Sequence, residues 1–210
     1  MMHEARTRNT SRLTLAIGAV AAGSAACLAT YFTVGGPFGT INDIGNAATG
    51  VLSGWLAWRL HREPALQTGN VFLGSALAGA ALTVAGSALV VSSTTGWLYA
   101  GLVSSVGFAG IGAWLVAASR RSAESGAWPR NRARHALVAG GLLITGVLSL
   151  PGIPLRLDDP ATAPWWIWLG FVSWLGTYVV YPAWAIRMGL AQGQPAALPR
   201  VASAESGGQV

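Results

Sequence analysis

Apolar residues fall along this chain in six runs, at about 13–34, 41–60, 71–92, 96–118, 135–152 and 164–187, separated by polar or turn-forming residues. A hydrocarbon layer about 30 Å thick takes roughly 20 helical residues to cross. The pattern therefore predicts six transmembrane helices. The second run differs from the rest. On a helix of 3.6 residues per turn, Asn42, Asn46, Thr49 and Ser53 fall within about 60° of one another. Asp43, Gly50 and Gly54 form the adjacent strip, and Ile41, Ile44, Val51, Leu52 and Trp55 occupy the far side. Uncompensated amides and a carboxylate are costly in hydrocarbon, so the polar face must meet other helices or a wet cavity. That requirement predicts the second helix at the centre of the bundle.

Composition supports a membrane solvent. Of the 210 residues 52% are hydrophobic and only 10% charged, with a mean hydropathy of +0.49, whereas about a quarter of the residues in soluble domains are charged. All 13 basic residues are arginine, and Ala and Gly are abundant, the usage expected of a GC-rich, bacterial genome. The net charge of +6 does not call for nucleic acid, because its distribution has a topological cause. Three Arg precede the first run, two (Arg59, Arg62) follow the second, five follow the fourth and two (Arg187, Arg200) follow the sixth; Arg156 alone lies on the other side. Positive loops stay cytoplasmic. Both termini are thus expected in the cytoplasm and the chain in the inner (plasma) membrane as a multi-pass protein. The expected organisation is a basic N-terminus (1–12), an all-α bundle of six transmembrane helices (13–188) and a disordered tail (189–210).

The turn at 35–39 (Gly-Gly-Pro-Phe-Gly) leads into Thr40-Ile-Asn-Asp43. Thr-x-x-Asp is a capping-box pattern, so Thr40 and Asp43 are expected to start the second helix, the carboxylate favoured by the helix dipole. In the alternative, Asn42, Asp43, Asn46, Thr49 and Ser53 form a ligand site or ion pathway on the outer half of the bundle. Asn46 needs partners once buried, and Thr83, Thr145, Ser149 and Thr177 are the hydroxyls on offer. Small residues four apart (Ser75, Gly79, Thr83 and Ser87 in the third run; Gly50 and Gly54 in the second) and the strip of Gly170, Ser173, Thr177 and Tyr181 in the sixth predict close helix packing, with a homo-oligomer or a membrane partner subunit as the other use of such ridges. Pro182 is expected to kink the last helix and open a gap beside Tyr178 and Tyr181. Trp58, Trp114 and Trp184, each shortly before an Arg, are expected to form an aromatic belt.

The remaining chemistry is sparse. His3, His61 and His135 all lie at the Arg-rich edge, which argues against haem or zinc held within the bundle, and no cofactor or metal is expected. Cys27 is a lone thiol inside the first run; Ser24 stands where a lipidation site needs a leucine-like residue, and the apolar run continues past it. Asp158-Asp159-Pro160 is expected to be a solvated turn. The loop 119–135 carries Arg120, Arg121, Arg130, Arg132 and Arg134 and is expected to lie against anionic headgroups, at about 1 kcal/mol per charge. No nucleophile motif or phosphate-binding loop occurs. The leading expectation is a non-enzymatic structural or regulatory membrane component. The alternative is a small transporter or channel built on the polar strip of the second helix, and a lipid-modifying enzyme comes last.

Overall fold

The computed structural model describes residues 2–193 of the chain, and side-chain surroundings for 8–192. The described chain is helical, without strands: α1 (Met2–Val34), α2 (Phe38–His61), α3 (Asn70–Val91), α4 (Trp97–Ser125) and α5 (Arg130–Ile144), the last continued by a 3-10 segment, Thr145–Gly152. The final span is broken into α6 (Ile167–Gly170), α7 (Val172–Leu175), a π segment (Gly176–Val180) and α8 (Tyr181–Gly193). Five of these stretches are long and apolar enough to cross a membrane: Arg8–Val34, Asn70–Val91, Trp97–Ser125, Arg130–Gly152 and Ile167–Gln192. The protein is an all-α, multi-pass membrane protein by that measure. The sixth helix, α2, has the length at 24 residues, but its amides, hydroxyls and carboxylate lower its hydropathy.

The helices pack in sequence, α1 on α2, α2 on α3, α3 on α4 and α4 on α5, and α8 closes the ring against α1. The turn between α1 and α2 takes only three residues because Gly35 and Gly36 adopt φ of 75° and 71°, a region glycine enters without a Cβ penalty. A close crossing joins α3 to α4. A β-carbon built on Gly107 would stand 2.7 Å from the Gly79 carbonyl oxygen and 2.8 Å from the Thr83 nitrogen. Ser75 Oγ also donates to Gly110 O (3.1 Å) across the same seam. Gly50 and Gly54 of α2 meet Thr83 and Ala80 of α3. The small-residue ridges thus pack within a single chain.

Several expectations are corrected. α4, not α2, is the most enclosed helix; it carries the fully buried Leu98, Leu102, Ile111, Trp114 and Leu115, while Ile41, Ile44, Val51 and Trp55 leave one face of α2 open. The expected loop 119–135 is mostly helix, with α4 running to Ser125 and α5 beginning at Arg130. Arginine, alanine and glutamate lower hydropathy without lowering helix propensity, so a boundary read from hydropathy comes too early. The helix stops at Gly126 (φ 71°), and Pro129 precedes α5. Arg120 and Arg121 accordingly sit on the last turns of α4, and Arg130, Arg132 and Arg134 on the first turns of α5. Residues 2–12 are helical, and 189–193 continue α8; 194–210 of the expected tail lie outside the described residues.

The aromatic belt is also revised. Trp58 is surface-exposed and lies beneath the Arg62 guanidinium, 3.8 Å from its ring centre. Trp114 and Trp184 are core residues. Trp184 stacks on Tyr181 with ring centres 5.5 Å apart and tilts against Trp128 at 6.0 Å. Trp128, in the short link between α4 and α5, is buried, and its backbone N–H donates to Ser122 Oγ (2.8 Å). That link is pinned into the bundle.

The last span is broken just before Pro182, but of the two tyrosines expected beside a gap only Tyr178 borders a cavity, and Tyr181 is fully buried. A proline N has no hydrogen to give, and its ring crowds the carbonyl four residues back; the π segment Gly176–Val180 lies immediately before α8, in whose first turn Pro182 stands. Single π turns are the usual adjustment to such a break.

Asp158 is not a solvated turn. Its Oδ2 accepts from Gly96 N (2.6 Å) and its Oδ1 from Tyr99 N (3.1 Å), so a residue some sixty positions away caps α4. Asp159 makes the local turn, accepting from Ala161 N at 2.9 Å. Loss of a side-chain cap costs about 1 kcal/mol. Asp158→Ala is therefore expected to lower thermal stability by that amount, and Asp159→Ala by less, in detergent unfolding of the purified protein. Equal effects of the two would remove the long-range cap.

Candidate functional site

The inner face of α2 carries Asn42, Asn46, Thr49 and Ser53, all buried, as the 3.6-residue period requires. The helix begins at Phe38, with Pro37 as its N-cap and no side-chain cap bond. Thr40 and Asp43 thus lie inside the first two turns and do not form a capping box; Pro37, with its fixed φ and missing N–H, starts the helix one turn earlier.

The polar strip divides into two parts. In the half toward the C-terminus of α2 every hydroxyl has a partner. Thr49 Oγ1 donates to Gly45 O (2.8 Å) and Ser53 Oγ to Thr49 O (2.6 Å), which leaves Ser53 Oγ to accept from Tyr181 OH at 2.7 Å. Tyr181 is fully buried and closes this end. In the half toward the α1–α2 turn, Ser24 Oγ of α1 lies 2.9 Å from both Asn42 O and Asn42 Oδ1, and 3.2 Å from Asn46 Oδ1. Asn46 Nδ2 donates to Tyr178 OH (2.9 Å) in the π segment. Asn42 Nδ2 reaches Asp43 Oδ1 at 3.4 Å. One amide thus ties together α1, α2 and the last span.

None of the hydroxyls expected to satisfy Asn46 does so: Ser149 Oγ is buried without a hydrogen-bond partner, and the three threonines bond within their own helices. Thr83, Thr145 and Thr177 donate to carbonyls one turn back, of Ala80, Leu142 and Ser173, the back-bonding habitual for hydroxyls in apolar helices. The actual partner Ser24 carries a legible signal. Counted from the turn at Gly36, Ser24 stands twelve residues one way and Asn46 ten the other. An antiparallel hairpin brings such positions to one depth. Tyr178 has a weaker signal, since its direction depends on the π turn.

Beside this network lies a cavity of about 660 Å³. Asn42, Asp43 and Asn46 form one wall and Trp174 and Tyr178 another. A third wall is Ser104 and Ser105 of α4, with Trp174 Nε1 reaching Ser105 Oγ at 3.4 Å. Leu28, Phe32, Val90 and Phe108 supply apolar surface. Gly35, Gly36 and Trp97 are part of the lining, so the cavity reaches the end of the bundle formed by the α1–α2 turn and the start of α4. Thr49 and Ser53 are absent from the lining. Of the five residues expected to form a site or pathway, Asn42, Asp43 and Asn46 reach the cavity, whereas Thr49 and Ser53 are sealed below it.

This arrangement is suited to binding. Its volume falls within the few hundred to about 1,000 Å³ typical of small-molecule sites, and convergent polar groups on apolar walls are the usual composition. Among the residues with described side chains no histidine is near enough to activate Ser104 or Ser105: His61 and His135 belong to the opposite end, where His135 Nδ1 lies 3.2 Å from Arg187 Nη1. Among the described residues no group of three or more His, Cys, Asp or Glu side chains is placed to hold a metal ion. Comparison of the chain with protein-family models, with curated proteins and with solved structures gave no significant match.

Proposed function

We propose that this chain is a non-enzymatic, bacterial inner-membrane protein that takes a small solute into the cavity beside α2 from the outer face, as a small transporter or a solute-sensing component. The single observation that carries this reading is the cavity of about 660 Å³ with Asn42, Asp43 and Asn46 on its wall. A strip that served only to lock helices together would leave no such volume beside a carboxylate. In this reading α2 is the sixth span, about 36 Å long at 1.5 Å per residue, its polar face turned inward and its Ile and Trp face toward lipid. The distribution of arginine supports cytoplasmic termini. It would place the cavity outside and Arg120, Arg121, Arg130, Arg132 and Arg134 against anionic cytoplasmic headgroups.

Accessibility tests the reading directly. Single cysteines at 43, 46, 49, 53 and 104, in a Cys27→Ala background, would be labelled in native membranes with a membrane-impermeant maleimide added from outside. Positions 43 and 104 are expected to react readily. Position 46 should react more slowly, because it stands between Ser24 and Tyr178, and 49 and 53 should stay silent. Silence at 43, 46 and 104 in folded protein would leave a packed strip and the purely structural role.

A further inference from the structure

We infer that the solute this cavity takes is an organic cation, an ammonium group carried on an apolar or aromatic body. The inference rests on the cavity being a binding site, and it adds the chemistry of the occupant. Three observations lead to it. Asp43 is the one formally charged side chain of the lining, which contains no Arg, Lys or His. Among the described residues its carboxylate has no ion-pair partner, and its one side-chain hydrogen bond is the 3.4 Å contact from Asn42. Aromatic rings supply much of the remaining wall: Phe32, Trp97, Phe108, Trp174 and Tyr178.

Each competing occupant fails on one of these points. An anion would meet a carboxylate and no basic group. A calcium or magnesium ion needs six or more oxygens in a tight shell and zinc about four side-chain ligands, and a single carboxylate in about 660 Å³ offers neither the number nor the confinement. A proton alone needs no such room and no aromatic walls. A neutral apolar molecule or an acyl chain would fit the rings but would leave a carboxylate desolvated beside it, at a cost of several kcal/mol. An ammonium group suits both kinds of surface. It neutralises the carboxylate, and its alkyl substituents lie against ring faces, where cation–π attraction is strongest for tryptophan. Asn42 and Asn46 have a supporting role. Asn46 is held by Ser24 and Tyr178, and Asn42 sets the Asp43 carboxylate from the neighbouring position, so the negative end is positioned before the ligand arrives.

The test compares three probes of one shape and different charge: benzyltrimethylammonium, benzyl methyl sulfone and phenylmethanesulfonate. Binding would be measured by calorimetry on the full chain in nanodiscs of zwitterionic phosphatidylcholine, so that lipid charge does not attract the cation. The ammonium probe is expected to bind at least tenfold more tightly than the neutral sulfone, with no binding of the sulfonate. Asp43→Asn should weaken the ammonium probe at least tenfold and leave the sulfone unchanged. A second readout keeps Asp43 in place: saturating benzyltrimethylammonium should slow maleimide labelling of Ser104→Cys at least fivefold, and the sulfonate should not. Equal affinity for cation and sulfone, or full retention of cation binding in Asp43→Asn, overturns the cation and leaves the cavity standing. Binding of none of the three, with position 104 still labelled, also overturns it. Silence at 43, 46 and 104 in the labelling experiment above instead removes the cavity reading on which it rests.

Discussion

Gly107→Leu should yield no folded protein, and Gly79→Ala alone should cost about 1–3 kcal/mol, the range for forcing extra carbons into a packed interior. The reason lies in what the new atoms meet. At Gly107 they would meet the backbone carbonyl of Gly79 and the backbone nitrogen of Thr83, at 2.7 and 2.8 Å. A side chain can swing aside at little cost, but two helix backbones cannot. Relief would require α3 and α4 to separate along the whole seam, losing the Ser75–Gly110 bond and the contacts that stand in for a hydrophobic driving force between membrane helices. Gly74 and Gly141 supply the control. Both are helical glycines with nothing within 4 Å of an added methyl group, so Gly74→Ala and Gly141→Ala should be neutral or should stabilise by up to about 1 kcal/mol through helix propensity. Unfolding in mixed micelles of increasing denaturing detergent would measure the three alanine variants, and the yield of folded protein would report on Gly107→Leu. Equal stability of Gly79→Ala and Gly74→Ala would show that the α3–α4 crossing is not a close one.

The same pair of glycines shows what a sequence of this kind discloses. The four-residue spacing of Ser75, Gly79, Thr83 and Ser87 marks a ridge that must pack, because spacing on a helix is a property of the chain alone. The partner is a different matter: a second copy would read identically, and only the fold assigns the ridge to α4. The inner face of α2 is legible for a similar reason, since the four polar positions Asn42, Asn46, Thr49 and Ser53 at helical spacing have one common direction. What that face meets was half legible. Hairpin register pairs Ser24 with Asn46, but Tyr178 arrives through a π turn whose extra residue per turn rotates everything before it. Side chains across such a turn cannot be placed by counting. The ends of α4 and α5 were misjudged because hydropathy reports where lipid ends and not where a helix ends. Asp158 was misjudged because a cap supplied from another loop leaves no local pattern; a capping box is recognisable only when donor and acceptor are neighbours, and the Thr40–Asp43 pattern shows that even then the helix is free to begin elsewhere.

The tryptophans give the second large effect. Trp58, Trp114 and Trp184 share one sequence context, an indole a few residues before an arginine, and therefore one expectation. Their surroundings separate them: Trp58 is 43% exposed, Trp114 0% and Trp184 1%. Trp184→Ala should destabilise the protein by about 3 kcal/mol, at the lower end of the range for deleting a buried aromatic. The lower end applies because lipid tails are as apolar as the core, so what is lost is packing and not transfer from water. The loss is still large, since the ring touches Tyr181 and Trp128 together. Its removal would free the Trp128 link between α4 and α5 and loosen the ring that holds its hydroxyl against Ser53. Trp58→Ala removes only a lipid-facing ring and its contact with Arg62, a cation–π pair worth about 0.5–1 kcal/mol at an exposed site. Trp184→Phe should recover part of the difference by restoring a stacked ring on Tyr181. If Trp58→Ala and Trp184→Ala unfold at the same detergent fraction, both indoles lie in the membrane interface and the aromatic column beneath Ser53 does not hold the inner end of the bundle. If they separate by the expected difference of about 2–2.5 kcal/mol, the closed, fully bonded half of the strip at Thr49 and Ser53 has its physical cause. Tyr181 cannot turn away from Ser53 while Trp184 lies flat against it, and the polar face of α2 opens instead into the cavity at Asp43.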